Sequence, residues 1–90
     1  MYKIRYTGQF KRDYKVCVKR GLDMELLREV ITILSRDGKL PRQYKPHKLT
    51  GNYVGFWECH IQADWLLIWQ QIDDELVLIM TNTGTHSDLF

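Results

Sequence analysis

Residues 2–6 alternate Tyr and Ile with Lys and Arg, the period-2 pattern of a short strand. Thr7 or Gly8 can then cap a helix reaching to about residue 20. On that helix Phe10, Tyr14, Cys17 and Val18 share one face, while Lys11, Lys15 and Lys19 recur every fourth position on another. Gly21 closes it, because glycine accepts the left-handed conformation that ends helices. Asp23 is a good N-cap for a second helix, with Glu25 in the first turn, where a negative charge is favourable. Leu26, Leu27, Val30, Ile31 and Leu34 form its buried stripe, and Asp37-Gly38 ends it. The short joint at residues 21–23 predicts an antiparallel helical hairpin. Residues 38–52, which hold both prolines, read as a long loop. Three strands follow: one from 53 to about 60, one over 65–71, and one over 76–81 after a turn at Asp73-Asp74. The second is apolar on both faces, so it belongs at the centre of the sheet, covered on both sides. The order is β-α-α-β-β-β. It predicts one α+β domain over residues 1–90, an antiparallel-rich sheet with the helical hairpin packed on one face.

Charge changes the picture more than composition does. The net charge is only +2, but the two halves of the chain differ sharply. Residues 1–48 hold all 13 lysines and arginines against 5 acids, a balance of +8, and residues 49–90 hold 6 acids and no such cation. That asymmetry points to a polyanionic partner; its bland alternative is a set of amphipathic helices with lysine on their wet faces. The longest apolar run, residues 65–69, is far too short to span a membrane, and Met1-Tyr2-Lys3-Ile4-Arg5 has no apolar signal core. Cys17 and Cys59 are widely spaced and read as reduced, packed thiols. These features together predict a cytoplasmic protein with no membrane partner.

The candidate chemistry lies in three histidines, His47, His60 and His86, whose unperturbed pKa suits proton transfer near neutrality. His60 ends one strand and Asp64 opens the next, so the two are expected to face each other across the hairpin. His86 lies just beyond the last strand, on the same edge by topology. His47 reaches that edge only if the basic loop folds back. Each histidine alone is more often a surface or packed residue than a catalyst, and an aspartate after a turn is usually turn chemistry. By ligand type His47, His60, His86 and Asp64 would also make a zinc set, but no His-Glu-x-x-His or Cys-x-x-Cys spacing supports one. No metal or other cofactor is therefore expected.

The segments Tyr6-Thr7-Gly8-Gln9-Phe10-Lys11-Arg12-Asp13, His47-Lys48-Leu49-Thr50-Gly51, Glu58-Cys59-His60-Ile61, Asp64-Trp65-Leu66-Leu67-Ile68-Trp69 and Thr83-Gly84-Thr85-His86-Ser87-Asp88-Leu89-Phe90 resemble the YafQ family of the RelE/ParE superfamily of bacterial type II toxins, in order and spacing across essentially the whole chain. The resemblance implies a RelE/ParE-like fold and a ribosome-dependent endonuclease that cuts messenger RNA without metal and is neutralised by a cognate antitoxin. It implies a catalytic set of His47, His60, Asp64 and His86, with Phe90 contacting or stacking on a base. Trp65 follows the aspartate in the family pattern, but its large apolar body suits the core. In such chemistry His86 would be the general acid, Asp64 or His60 the base, and His47 would orient the phosphate or share proton transfer. Arg42, Lys45 and Lys48 would clamp phosphate, and Lys11, Lys15 and Lys19 would dock ribosomal RNA. Operator DNA would be met only through the antitoxin. The chain departs from many RelE-like enzymes in having no arginine on its C-terminal strands. The competing readings are a ParE-like toxin that inhibits DNA gyrase, which has no need of the histidine–aspartate set, and a basic RNA-binding module without activity.

Overall fold

The computed structural model describes residues 1–82, so the expected roles of His86 and Phe90 fall outside the described residues. Five strands, β1 (Lys3–Tyr6), β2 (His47–Lys48), β3 (Phe56–Gln62), β4 (Trp65–Ile72) and β5 (Glu75–Asn82), form one sheet in the order β1-β5-β4-β3-β2. Two helices, α1 (Gly8–Lys19) and α2 (Met24–Asp37), lie between β1 and β2 in the chain. β1 runs parallel to β5, with Lys3 opposite Glu75 and Tyr6 opposite Leu78, and every other pairing is antiparallel. The α+β class and the helix-covered, antiparallel-rich sheet are as expected, and β4 is the central strand.

Both helices start where side-chain chemistry dictates. The Thr7 hydroxyl accepts from the Phe10 N–H at 3.1 Å and donates to the Ile79 carbonyl at 2.7 Å, so one group caps α1 and ties it to β5. Asp23 accepts from the Glu25 N–H at 3.1 Å. Phe10 and Cys17 of α1, with Leu27, Val30 and Leu34 of α2, pack on Cys59, Ile61, Trp65, Leu67, Trp69, Leu76 and Leu78 of the sheet. Tyr14 and Val18 depart from the expected stripe: they are 36% and 51% exposed. The helical hairpin is splayed, and a groove of about 630 Å³ between α1 and α2 leaves Tyr14 on its wall.

The segment read as a long loop is partly built. Short 3₁₀ turns occupy Arg42–Tyr44 and Gly51–Tyr53, with Tyr44 drawn into the core, and β2 between them adds a fifth strand. Two residues of strand are too few to show any alternation, which is why the sequence pattern does not reveal β2.

Two bulges set which side chains face which way. In β5, Met80 opposes Ile68 and Leu78 opposes Trp69, leaving Ile79 as an extra residue whose carbonyl is the one Thr7 takes. In β3, His60 opposes Leu66 and Gln62 opposes Trp65, with Ile61 between them. Leu76 and Leu78 point to the helices before the β5 bulge, and Thr81 does so after it, because the extra residue resets the period of two.

Gly38 ends α2 with φ 71°, its N–H donating to the Leu34 carbonyl at 2.8 Å. A Cβ there would lie 2.5 Å from the Tyr2 ring, inside contact distance. Gly38→Ala combines left-handed strain with that clash, so it is expected to destabilise the fold by more than the ~1 kcal/mol that left-handed backbone alone costs. Chemical denaturation of the two proteins checks this, and a loss of only ~1 kcal/mol would show that the Tyr2 ring moves aside freely.

Candidate active site

β2 exists to hold His47 against β3. His47 opposes Glu58 in the ladder, and its Nε2 lies 3.0 Å from Glu58 Oε1. Its Nδ1 lies 3.0 Å from the Lys45 carbonyl, which left-handed backbone at Lys45 (φ 49°) turns toward the ring. Both acceptors need an N–H, and a neutral imidazole has only one. Both contacts are hydrogen bonds at once only when the ring carries two N–H groups. Glu58 is fully buried while His47 is half-exposed, so the carboxylate is sheltered and the imidazole meets solvent.

His60 is two residues further along β3, on the same sheet face as Glu58, and it is half-buried. Its Nδ1 lies 3.2 Å from the Ala63 carbonyl. A carbonyl only accepts, so this contact puts the proton on Nδ1 and makes Nε2 the basic nitrogen of the neutral ring. The expected His60–Asp64 face-to-face pairing is not what the ladder shows. Asp64 sits exposed in the two-residue turn that Gln62 and Trp65 close, so it is outside the ladder, and Leu66 is the residue opposite His60. The loop does fold back, as His47 required, and the His47–Glu58–His60 run lies opposite the helix layer. Asn82 opposes Leu66, so β5 ends one ladder position from the start of β4.

Glu58 is the residue that sequence reasoning missed. The available signal was an acid at position 58 between Phe56 and His60, alternating with Trp57 and Cys59: a charge on the His60 face of a largely apolar strand.

The cations are divided between the two sides of the sheet. Lys48 opposes Trp57 and lies over its ring, 5.4 Å from the centroid, on the face away from His47. Lys45 and Arg42 are exposed beside β2. Lys11, Lys15 and Lys19 are exposed on α1, in the helix layer, and so stand apart from the imidazoles. Among the described residues, no group of three or more His, Cys, Asp or Glu side chains is placed to hold a metal ion, and no helix is long and apolar enough to cross a membrane.

A mixed sheet with two helices on one face and an imidazole–carboxylate edge on the other is the architecture that the resemblance to RelE/ParE-like toxins implies. The chain belongs to the YafQ family: its residues 2–90 match the family described as the bacterial toxin of type II toxin–antitoxin systems, YafQ. It is 39% identical over 88 residues to the mRNA interferase toxin YafQ of Escherichia coli K12, which covers 97% of this chain and 94% of the relative. A copper-bound mutant toxin from Helicobacter pylori superposes with a TM-score of 0.90 at 37% identity, over 100% of both chains. YafQ in the E. coli DinJ–YafQ complex superposes with a TM-score of 0.87 at 37% identity, over 100% of this chain and 99% of that one.

Burial and the neighbouring Glu58 charge push the Cys59 thiol up to about 12 from 9.0, and Cys17 is raised as well, by burial and then by Asp13. Neither thiol has the depressed pKa of a nucleophile. The folded chain binds the Cys59 proton more tightly than the unfolded one. The stability this contributes is complete below about pH 9 and is lost as pH rises toward 12. Alkylation of native protein at pH 8.5 should therefore leave Cys59 unmodified until denaturant is added, as peptide mapping would show; rapid native labelling would contradict the assignment.

Proposed function

We propose that this chain is the toxin of a type II toxin–antitoxin pair that cuts messenger RNA on the ribosome, in the cytoplasm, by acid–base chemistry without metal, and that a cognate antitoxin holds it inactive. One observation carries the reading: His47 paired with buried Glu58, with His60 on the same face, in a chain of this family. The E. coli relative is an mRNA interferase, and relatives crystallised with the DinJ antitoxin supply the class of partner. Operator DNA is then met through that antitoxin.

In the proposed reaction the 2′-oxygen attacks the adjacent phosphorus and the bond to the 5′-oxygen breaks. A base takes the 2′-hydroxyl proton, and an acid protonates the leaving oxygen. His60, with its proton on Nδ1, presents the chemistry of a base, and Asp64 in the adjoining turn is the other candidate. His86 is assigned the acid role. His47, held between two acceptors, suits phosphate binding or proton sharing better than proton abstraction. General acid–base groups of this kind typically contribute about 10²–10⁴-fold each.

Arg42 and Lys45 flank this edge and would clamp phosphate, whereas Lys48, drawn over Trp57, would serve a more distant backbone position. Phe90 would contact or stack on a base. Lys11, Lys15 and Lys19 would dock ribosomal RNA from the helix layer, so docking and cutting use opposite sides of the sheet.

Induced expression of wild type and His86→Ala, with mapping of mRNA 5′ ends within minutes, tests the reading. New in-frame cuts are expected with wild type only; growth arrest over intact messages would redirect the reading to DNA gyrase. Replacing Lys11, Lys15 and Lys19 together should weaken ribosome binding and flatten its log–log salt dependence by about 2–3. An unchanged slope would remove α1 from the docking surface.

A further inference from the structure

We infer that Thr81 is a positioning residue for the cleavage reaction, acting through Trp65 and the strand ends at the histidine edge; the inference rests on the nuclease reading above. Thr81 is 2% exposed, and its hydroxyl makes two bonds. It accepts from Trp65 Nε1 at 2.8 Å and donates to the Leu66 carbonyl at 2.9 Å. The Thr81 N–H donates to Asp13 Oδ2 at 3.3 Å, and the other carboxylate oxygen, Oδ1, accepts from Gln9 Nε2 at 2.8 Å. One threonine therefore joins α1, the start of β4 and the end of β5.

Its position in the chain gives the network a role beyond packing. Trp65 directly follows Asp64, and Leu66 opposes His60 across the ladder. Thr81 itself lies five residues before His86. Asp64 and His60, the proposed bases of the hairpin edge, are thus covalently adjacent to, or laddered with, a residue the hydroxyl holds. The β5 bulge is what turns the Thr81 side chain to the helix-covered face; without the extra Ile79 it would face away from Trp65.

A threonine whose only job was to fill space would be replaceable by valine, which has the same shape. Here valine would leave the buried Trp65 N–H without its acceptor and release the tie to Leu66. Errors of about 1 Å in placing reacting groups cost up to about 10²-fold in rate.

The test is steady-state cleavage of programmed ribosomes by the full chain at a temperature where each variant is fully folded. Thr81→Val is expected to lower kcat at least 10-fold with KM within twofold of wild type, and Thr81→Ser, which keeps the hydroxyl, to restore most of kcat. Should Thr81→Val fail to fold, Trp65→Phe, which removes only the N–H donor and some ring area, is expected to show the same split. A variant that is less stable but retains wild-type kcat per folded molecule, or a serine variant no better than valine, overturns the positioning role. Wild type that binds ribosomes and leaves the message intact overturns the nuclease reading itself, and this inference with it.

Discussion

The structure depends on the central strand. Trp65, Leu66, Leu67, Ile68 and Trp69 are all at most 2% exposed, so β4 excludes water from both faces. Such a strand has no wet side, and the rest of the chain must supply two covers. The helices, Tyr44 and the inward face of β3 and β5 cover one side. On the other side Ile68 and Leu66 sit beside Glu58 and His60, so the candidate chemistry is set against apolar surface. A carboxylate in that setting is far more sensitive to its neighbours than one in water, and a half-exposed imidazole lies 3.0 Å from it.

That pairing is not an obvious gain in stability. Burying a charge costs several kcal/mol, as an order of magnitude, and an ion pair rarely returns all of it. The pair makes more sense as a way to fix a ring. With Lys45 holding one nitrogen and Glu58 the other, His47 has neither tautomer nor orientation left to choose. His60 is fixed at one nitrogen by the Ala63 carbonyl, so the two rings come out chemically different although the residue type is the same. Backbone carbonyls and one buried acid divide the histidines into a donor and a base.

Much of this was legible in the sequence because the signals were local. Thr7, Asp23 and Gly38 are cap residues that act within a few positions of themselves. The continuous apolar run of β4 declared its own central place. What stayed hidden depended on partners far away in the chain. β2 is a strand only because β3 is there to pair with it. Tyr14 and Val18 match a helical stripe, but the splay between the helices decides that they stay exposed, and no periodicity encodes an angle. The two bulges were equally invisible, since one extra residue leaves no compositional trace. His60 and Asp64, adjacent by simple hairpin logic, do not face each other because Asp64 belongs to the two-residue turn between Gln62 and Trp65. The site was legible as a set of residue types. Its missing member, Glu58, was masked because an acid within a strand ordinarily reads as a surface position.

The parallel pairing of β1 with β5 joins residues 3–6 to residues 75–78, nearly the full length of the described chain. Closing so long a loop must precede any return from the contacts it brings, which makes this pairing a late event in folding. Thr7 caps α1 from β1's end while reaching across to Ile79, so the first helix shares that dependence on the last strand. During synthesis the N-terminal strand and α1 emerge long before β5 exists. The sheet cannot close on its own first strand until nearly the whole chain has left the ribosome. A protein whose proposed target is the translating ribosome can thus complete its sheet only once its fifth strand has left a ribosome.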